Sequence, residues 1–235
     1  MIKQYGFEWH GIKFSSFGVL SGENIADEKF YEKFYEKYQT YDDLPNKWKK
    51  NKEELANQIL QIANGKSNIL SIGCGIGYLE NEINLDFKGK LIGIEPSNSS
   101  CNFMRKNANV ECLNGFFPGV FKNNNEHFDF AYMGAIEYVF NDLEYKSFLK
   151  SIVDYGIKDL LVISVSHYNP VRHRMKEFIK KILIKIGVYE PVAEKGQFWG
   201  YMRTRSEHIR LMKQAGFKKI STRYCNNALF LRGII

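Results

Sequence analysis

The segment Asn68-Ile69-Leu70-Ser71-Ile72-Gly73-Cys74-Gly75-Ile76-Gly77 constrains the fold more than any other part of the chain. A short apolar run (Ile69, Leu70, Ile72) gives way to three glycines spaced by two. A second apolar run, Leu91-Ile92-Gly93-Ile94, ends on Glu95, 18 residues after Gly77. That order reads as strand, glycine turn, helix, strand, acid. Open α/β sheets with this order hold an adenosine-bearing cofactor at the carboxyl ends of their strands. Glycine lets the backbone take positive φ and lets a ligand approach the main chain. A carboxylate at the second strand's tip can accept hydrogen bonds from both ribose hydroxyls. Taken alone, the glycines also fit a simple tight turn; the spaced Glu95 and the rest of the chain weigh against that.

The dinucleotide fingerprint places its third glycine three positions after the second, where this chain has Tyr78. The spacing of Gly73, Gly75 and Gly77 instead resembles motif I of the class I S-adenosylmethionine-dependent methyltransferases of small-molecule type. Gly93-Ile94-Glu95-Pro96-Ser97 resembles their acidic second-strand motif. One departure is Ser71, where the family usually carries an acid two residues before its first glycine. The resemblance spans about residues 45–166 and 205–235. It implies an α/β, Rossmann-like doubly wound seven-stranded sheet, mostly parallel with a C-terminal antiparallel hairpin. An N-terminal extension and a helical insertion after the fifth strand complete that expectation. It implies S-adenosylmethionine as cofactor, with S-adenosylhomocysteine as product. Ser71, Gly73, Cys74, Gly75 and Gly77 would lie along the methionine and ribose portions, with Glu95 and Pro96 at the ribose. Asn114-Gly115-Phe116 fits the adenine end, and Met133 and Gly134 the flank of the cofactor.

The pattern along the chain predicts a small hairpin around His10-Gly11 within residues 1–18. A tyrosine- and phenylalanine-rich helix over 27–41 follows, with Tyr38 and Tyr41 as lid residues toward cofactor and substrate. Lys47 to Asn64 reads as an amphipathic helix. Further elements are predicted as a helix from Ser97 to Asn107, strands at Val110–Leu113 and Phe128–Met133, a helix from Asp142 to Tyr155, and a strand at Leu160–Val165. A helix from Ser206 ends on a glycine cap at Gly216, and two strands near 217–224 and 228–233 finish the sheet. The expected division is 1–44 for hairpin and lid helix and 45–235 for the core, with 167–205 inserted as a substrate cover.

Four cysteines without C-x-x-C spacing indicate neither a zinc site nor a disulfide framework. No apolar run has the ~18 residues of a membrane span, and the first residues lack a signal peptide's apolar core. The expected location is therefore cytoplasmic. The net charge of +7 is unevenly spread. Residues 167–235 carry 15 lysines and arginines against 4 glutamates, while residues 1–166 carry 18 basic against 22 acidic side chains. This asymmetry reads either as an anionic partner near the C-terminal part or as a lysine-rich solvated surface.

His173 to Ile186 carries an apolar stripe with basic residues around it. It reads as a substrate cover supplying cations, or as an ordinary helix docked on the core. A membrane-surface role is the lesser alternative, because the stripe is also needed to dock the insertion. Methyl transfer requires alignment of the nucleophile and exclusion of water. His167, with Tyr138 and Tyr168 as weaker candidates, is placed to take a proton, although a structural histidine fits as well. An anionic acceptor would need no base and would call on Arg172, Arg203 and Arg205. The expectation is methyl transfer to an oxygen or nitrogen of a small, anionic metabolite such as a sugar nucleotide, a phosphorylated sugar or a surface-polymer precursor. An RNA methyltransferase, a non-catalytic cofactor-binding protein and a nicotinamide oxidoreductase are the rivals. Nucleic acid is disfavoured because no RNA-binding module appears.

Overall fold

The computed structural model describes residues 1–9, 12–14, 35–122, 126–189 and 196–235. Apolar runs too short for helices form the central strands: β4 (Asn68–Ile72), β5 (Lys90–Glu95), β6 (Glu111–Asn114), β7 (Phe130–Gly134) and β8 (Asp159–Ser164). With β10 (Lys219–Cys225) and β11 (Ala228–Ile234) they build one seven-stranded sheet in the order β10-β11-β8-β7-β4-β5-β6. The pairs among β4 to β8 are parallel, whereas β11 runs antiparallel to both β8 and β10. This is the Rossmann-like methyltransferase fold with its antiparallel C-terminal hairpin. The strand bounds differ from the sequence reading by one or two residues.

Side chains alternate between the two faces of the sheet. Ile69, Phe130, Tyr132, Leu161 and Phe230 pack under α1 (Asn46–Ile62), α2 (Tyr78–Asp86) and α3 (Asn98–Asn107). Leu70, Ala131, Met133, Val162 and Leu231 face α4 (Asp142–Tyr155) and α6 (Arg205–Ala215). Two capping boxes, Asn141 with Glu144 and Thr204 with Glu207, start α4 and α6 by satisfying amides that have no helical partner. The crossover reverses between β4 and β7, so a crevice opens at the carboxyl ends of these strands.

Outside the sheet, β2 (Glu8–Trp9) pairs with β3 (Ile12–Lys13), as the hairpin reading predicts. A feature without a sequence-level counterpart is the antiparallel ribbon of β1 (Ile2–Gly6) with β9 (Gln197–Met202) from the insertion. Most of the predicted helix over 27–41, with Phe30, Tyr31 and Phe34, lies outside the described residues. Its end is corrected: after Tyr35 the chain turns, and Tyr41–Asp43 is a separate 3-10 turn. The insertion does form a helix, α5 (Pro170–Lys185), but no residue of it is buried, so its expected docking on the core is not observed among the described residues. None of these residues forms a helix long and apolar enough to cross a membrane.

Candidate cofactor and acceptor site

The glycine turn is shaped by its backbone. Gly73, Gly75 and Gly77 have φ of 74°, 59° and 76°, a region costly for any side chain. A Cβ on Gly73 would stand 2.6 Å from the Ile136 side chain. The amides of Gly73 and Cys74 both donate to the Ile94 carbonyl, at 2.8 and 3.1 Å, which ties the turn to the end of β5. There Glu95 accepts from the Gly75 amide through Oε2 at 2.9 Å and from the Ser97 amide through Oε1 at 3.0 Å. The carboxylate is thus aimed by backbone donors, while each oxygen retains acceptor capacity for a diol.

A cavity of ≈ 790 Å³ opens beside this acid at the switch point of the sheet. Eleven of the predicted residues stand in its wall: Ser71, Gly73, Cys74, Gly75 and Gly77 from the first turn, Glu95 and Pro96 from β5, and Gly115, Phe116, Gly134 and Tyr138 from the other strand ends. Much of the remaining wall is aromatic or aliphatic, including Tyr35, Trp48, Phe140, Phe148 and Trp199. Trp199 stacks on Tyr138 with ring centroids 5.5 Å apart. A second hollow, of ≈ 500 Å³, lies at the opposite, amino-terminal edge of the strands and carries none of these residues.

Other predicted residues fall outside that wall. Asn114 donates to the carbonyls of Glu95 and Pro96, at 3.0 and 2.9 Å, and so shapes the strand end. Met133 is fully buried in the core on the α4 side. Tyr41 donates to the Ile76 carbonyl at 2.8 Å and, with Tyr38, packs over the outside of the glycine turn. His167 Nδ1 lies 3.2 Å from the Ser164 carbonyl, and its ring packs near Tyr224. Tyr168 packs edge-on against His173. Arg172 and Arg205 are exposed at the starts of α5 and α6. Arg203 requires the clearest correction. It is wholly buried, donating to Asp142 Oδ1 at 2.9 Å and to the carbonyls of Glu137 and Phe140. Its guanidinium is committed to holding the segment before α4 in place.

Sequence reasoning missed Glu80 and Lys52. Glu80, on α2, is buried at 1% exposure, and its Oε1 accepts from Ser71 Oγ at 2.6 Å and from the Tyr132 hydroxyl at 2.8 Å. Its Oε2 has no partner, and burial pushes its pKa up. Lys52, on α1, lines the same cavity with its ammonium 5.3 Å above the Trp48 ring; burial lowers its pKa, and Glu80 works against that. The available signal was an acid between Leu79 and Ile83 on the buried face of a helix, since ionisable groups are rarely buried without a task. Contact with Cys112 and burial push the Cys74 thiol well up.

A family model described as a methyltransferase domain matches residues 42–224. No curated protein matches the sequence. Among solved structures, magnesium protoporphyrin IX methyltransferase from Synechocystis, with bound S-adenosylhomocysteine, superposes with a TM-score of 0.55 at 8% identity. That match covers 79% of this chain and 82% of the other. Human N-acetylserotonin methyltransferase, in complex with S-adenosylmethionine, gives 0.56 at 14% identity over 94% of this chain, which spans 61% of that longer protein. A possible histamine N-methyltransferase from Thermotoga maritima gives 0.53 at 20% identity, covering 87% and 97%. At these identities the structural likeness concerns the fold, and the family match carries the assignment. The chain belongs to the class I S-adenosylmethionine-dependent methyltransferase family.

Proposed function

We propose that the cavity binds S-adenosylmethionine and that the protein moves its methyl group to an oxygen or nitrogen of a small molecule with a flat, largely apolar body. The observation that carries this reading is Glu95, locked by the Gly75 amide in the wall of a cavity at the strand ends. The cradle fits the group. The turn leaves no room for side chains at Gly73, and a buried carboxylate oxygen of Glu80 lacks a partner beside it. Glu95 would hold the ribose diol, Gly115 and Phe116 the adenine, and the backbone of Gly73 to Gly75 the ribose and methionine. Glu80 as a carboxylate and Lys52 as an ammonium would suit the ammonium and carboxylate of the methionine end. When bound, the cofactor supplies an electrophilic methyl group; the chain must align the acceptor in line with it and keep water out.

The aromatic wall supports an apolar acceptor held between flat rings. The three arginines proposed for an anionic acceptor are exposed or committed elsewhere, and among the described residues Lys52 is the lysine in the wall. Tyr138, stacked on Trp199, is the ionisable side chain we assign to contact the acceptor. The test is calorimetric titration with S-adenosylhomocysteine and with NADH. S-Adenosylhomocysteine alone should bind, and Glu95→Ala should weaken it at least ~10-fold, about 1.4 kcal/mol, with melting temperature little changed. Binding of NADH instead, or an unaffected Glu95→Ala variant, would overturn the assignment.

A further inference from the structure

We propose that α5 is a docking surface for an anionic lipid bilayer. The helix is well started: the Asn169 side chain accepts from the amides of Val171 and Arg172, and Pro170 opens the first turn. It continues for 16 residues without burying any side chain. Helices of this length in water depend on packing of an apolar face, yet Val171, Met175, Phe178, Ile179, Ile182 and Ile186 are all exposed. Phe178 is 65% exposed and Ile182 44%.

At about 100° per residue, Val171, Met175, Phe178, Ile179, Ile182 and Ile186 fall within one arc of roughly 100°. Arg172 and Lys176 follow one edge of that arc, and Arg174, Lys181 and Lys185 the other. The helix's one acid, Glu177, lies on the far side. An apolar arc edged by cations on both sides is the pattern of a helix lying in the plane of a membrane. The arc enters the acyl boundary while the cations meet lipid phosphates. Charge excludes the simplest rival, a second copy of the chain. Facing α5 helices would bring two strongly basic edges together. RNA would use the cations but leave the exposed Phe178 and Ile182 in water. The chain leaves the cavity wall at Val165 and enters α5 at Pro170, so a docked helix holds the cavity close to the lipid. The binding itself does not depend on methyl transfer.

The test is co-sedimentation of the full chain with large vesicles of phosphatidylcholine, alone or mixed in equal parts with phosphatidylglycerol. Wild type should sediment with the mixed vesicles and not with phosphatidylcholine alone. Phe178→Glu with Ile182→Glu, and separately Lys181→Glu with Lys185→Glu, should each lower the bound fraction at least ~10-fold. Both pairs are exposed, so melting temperature and S-adenosylhomocysteine affinity should stay as in wild type. Should one variant fail to fold, the other still decides. Indifference of the wild type to phosphatidylglycerol would overturn the proposal. So would wild-type binding by both variants, or a monomer produced from a dimer by the glutamates at 178 and 182, as read by light scattering. Displacement from vesicles by polyuridylate, with only the lysine variant defective, would transfer the surface to RNA.

Discussion

Ser71 stands where the family resemblance implies an acid, and a carboxylate reaches it from Glu80, in the first turn of α2. The hydroxyls of Ser71 and Tyr132 hold one oxygen of Glu80 and leave the other unpartnered next to the cavity. A buried carboxylate oxygen without a partner is costly, so its place beside the cavity suits a ligand cation. Glu80→Gln keeps an acceptor for both hydroxyls and removes the charge. The unliganded variant should be at least as stable as wild type at neutral pH. Its affinity for S-adenosylmethionine and S-adenosylhomocysteine, which share the ammonium, should fall about tenfold, ~1.4 kcal/mol. Calorimetry and urea unfolding on the same preparation separate the two effects. Unchanged affinity would reduce Glu80 to a core carboxyl. Arg203 teaches the converse lesson. A sequence shows that a cation is present but not where it points, and this one points inward to Asp142 and two carbonyls.

Elements were legible where their signal is local. The glycine turn, β4 to β8 and the capped helices follow from apolar runs, periodicity and end residues within a few positions of one another. The ribbon of β1 and β9 was not legible, because its partners come from opposite ends of the chain and no local pattern records a pairing. For α5 the period showed an apolar face but could not show what covers it. The ribbon matters for the site because it seats Trp199 on Tyr138 and beside Phe14. Its closest approach is at Gly200, with φ of 140°, where a Cβ would meet the Tyr138 carbonyl oxygen at 2.6 Å. Gly200→Ala should therefore push β9 off the segment carrying Tyr138, at a cost of about 1–3 kcal/mol. A lower melting temperature with intact S-adenosylhomocysteine affinity is the expected pair of results. Loss of cofactor affinity would show instead that the ribbon supports the cofactor end of the cavity.

For the molecule as a whole, the response to acid follows from which buried groups must change charge. His208, on α6, has no exposed surface, lies edge-on to the Tyr145 ring and offers both ring nitrogens no partner. Burial, reinforced by Arg203 and His167, pushes its pKa from 6.5 down to about 3. Between those values the unfolded chain binds the proton and the folded chain does not. Stability therefore falls with falling pH, at up to ~1.4 kcal/mol per pH unit, and this loss levels off near the folded value. Glu80 and Glu137 act in the opposite sense. Burial raises both, so their contribution is fully present below the ordinary 4.5 and is lost as pH rises through the folded values. Asp159 again favours neutrality. Burial works against its charge, but the ion pairs with Arg232 and Lys66 outweigh this and hold it below 3.8, so its contribution is lost only in stronger acid. His208 is thus the group whose proton uptake lowers stability from pH 6.5 downward, against the opposite slope of Glu80 and Glu137 above 4.5. His208→Phe keeps the edge-on packing and removes the titration. Urea unfolding across the acid range should give curves that stay parallel above pH ~7 and diverge in the variant's favour below ~6.5. Curves that remain parallel through that window would mean that His208 takes up its proton as readily in the folded protein as in the unfolded chain.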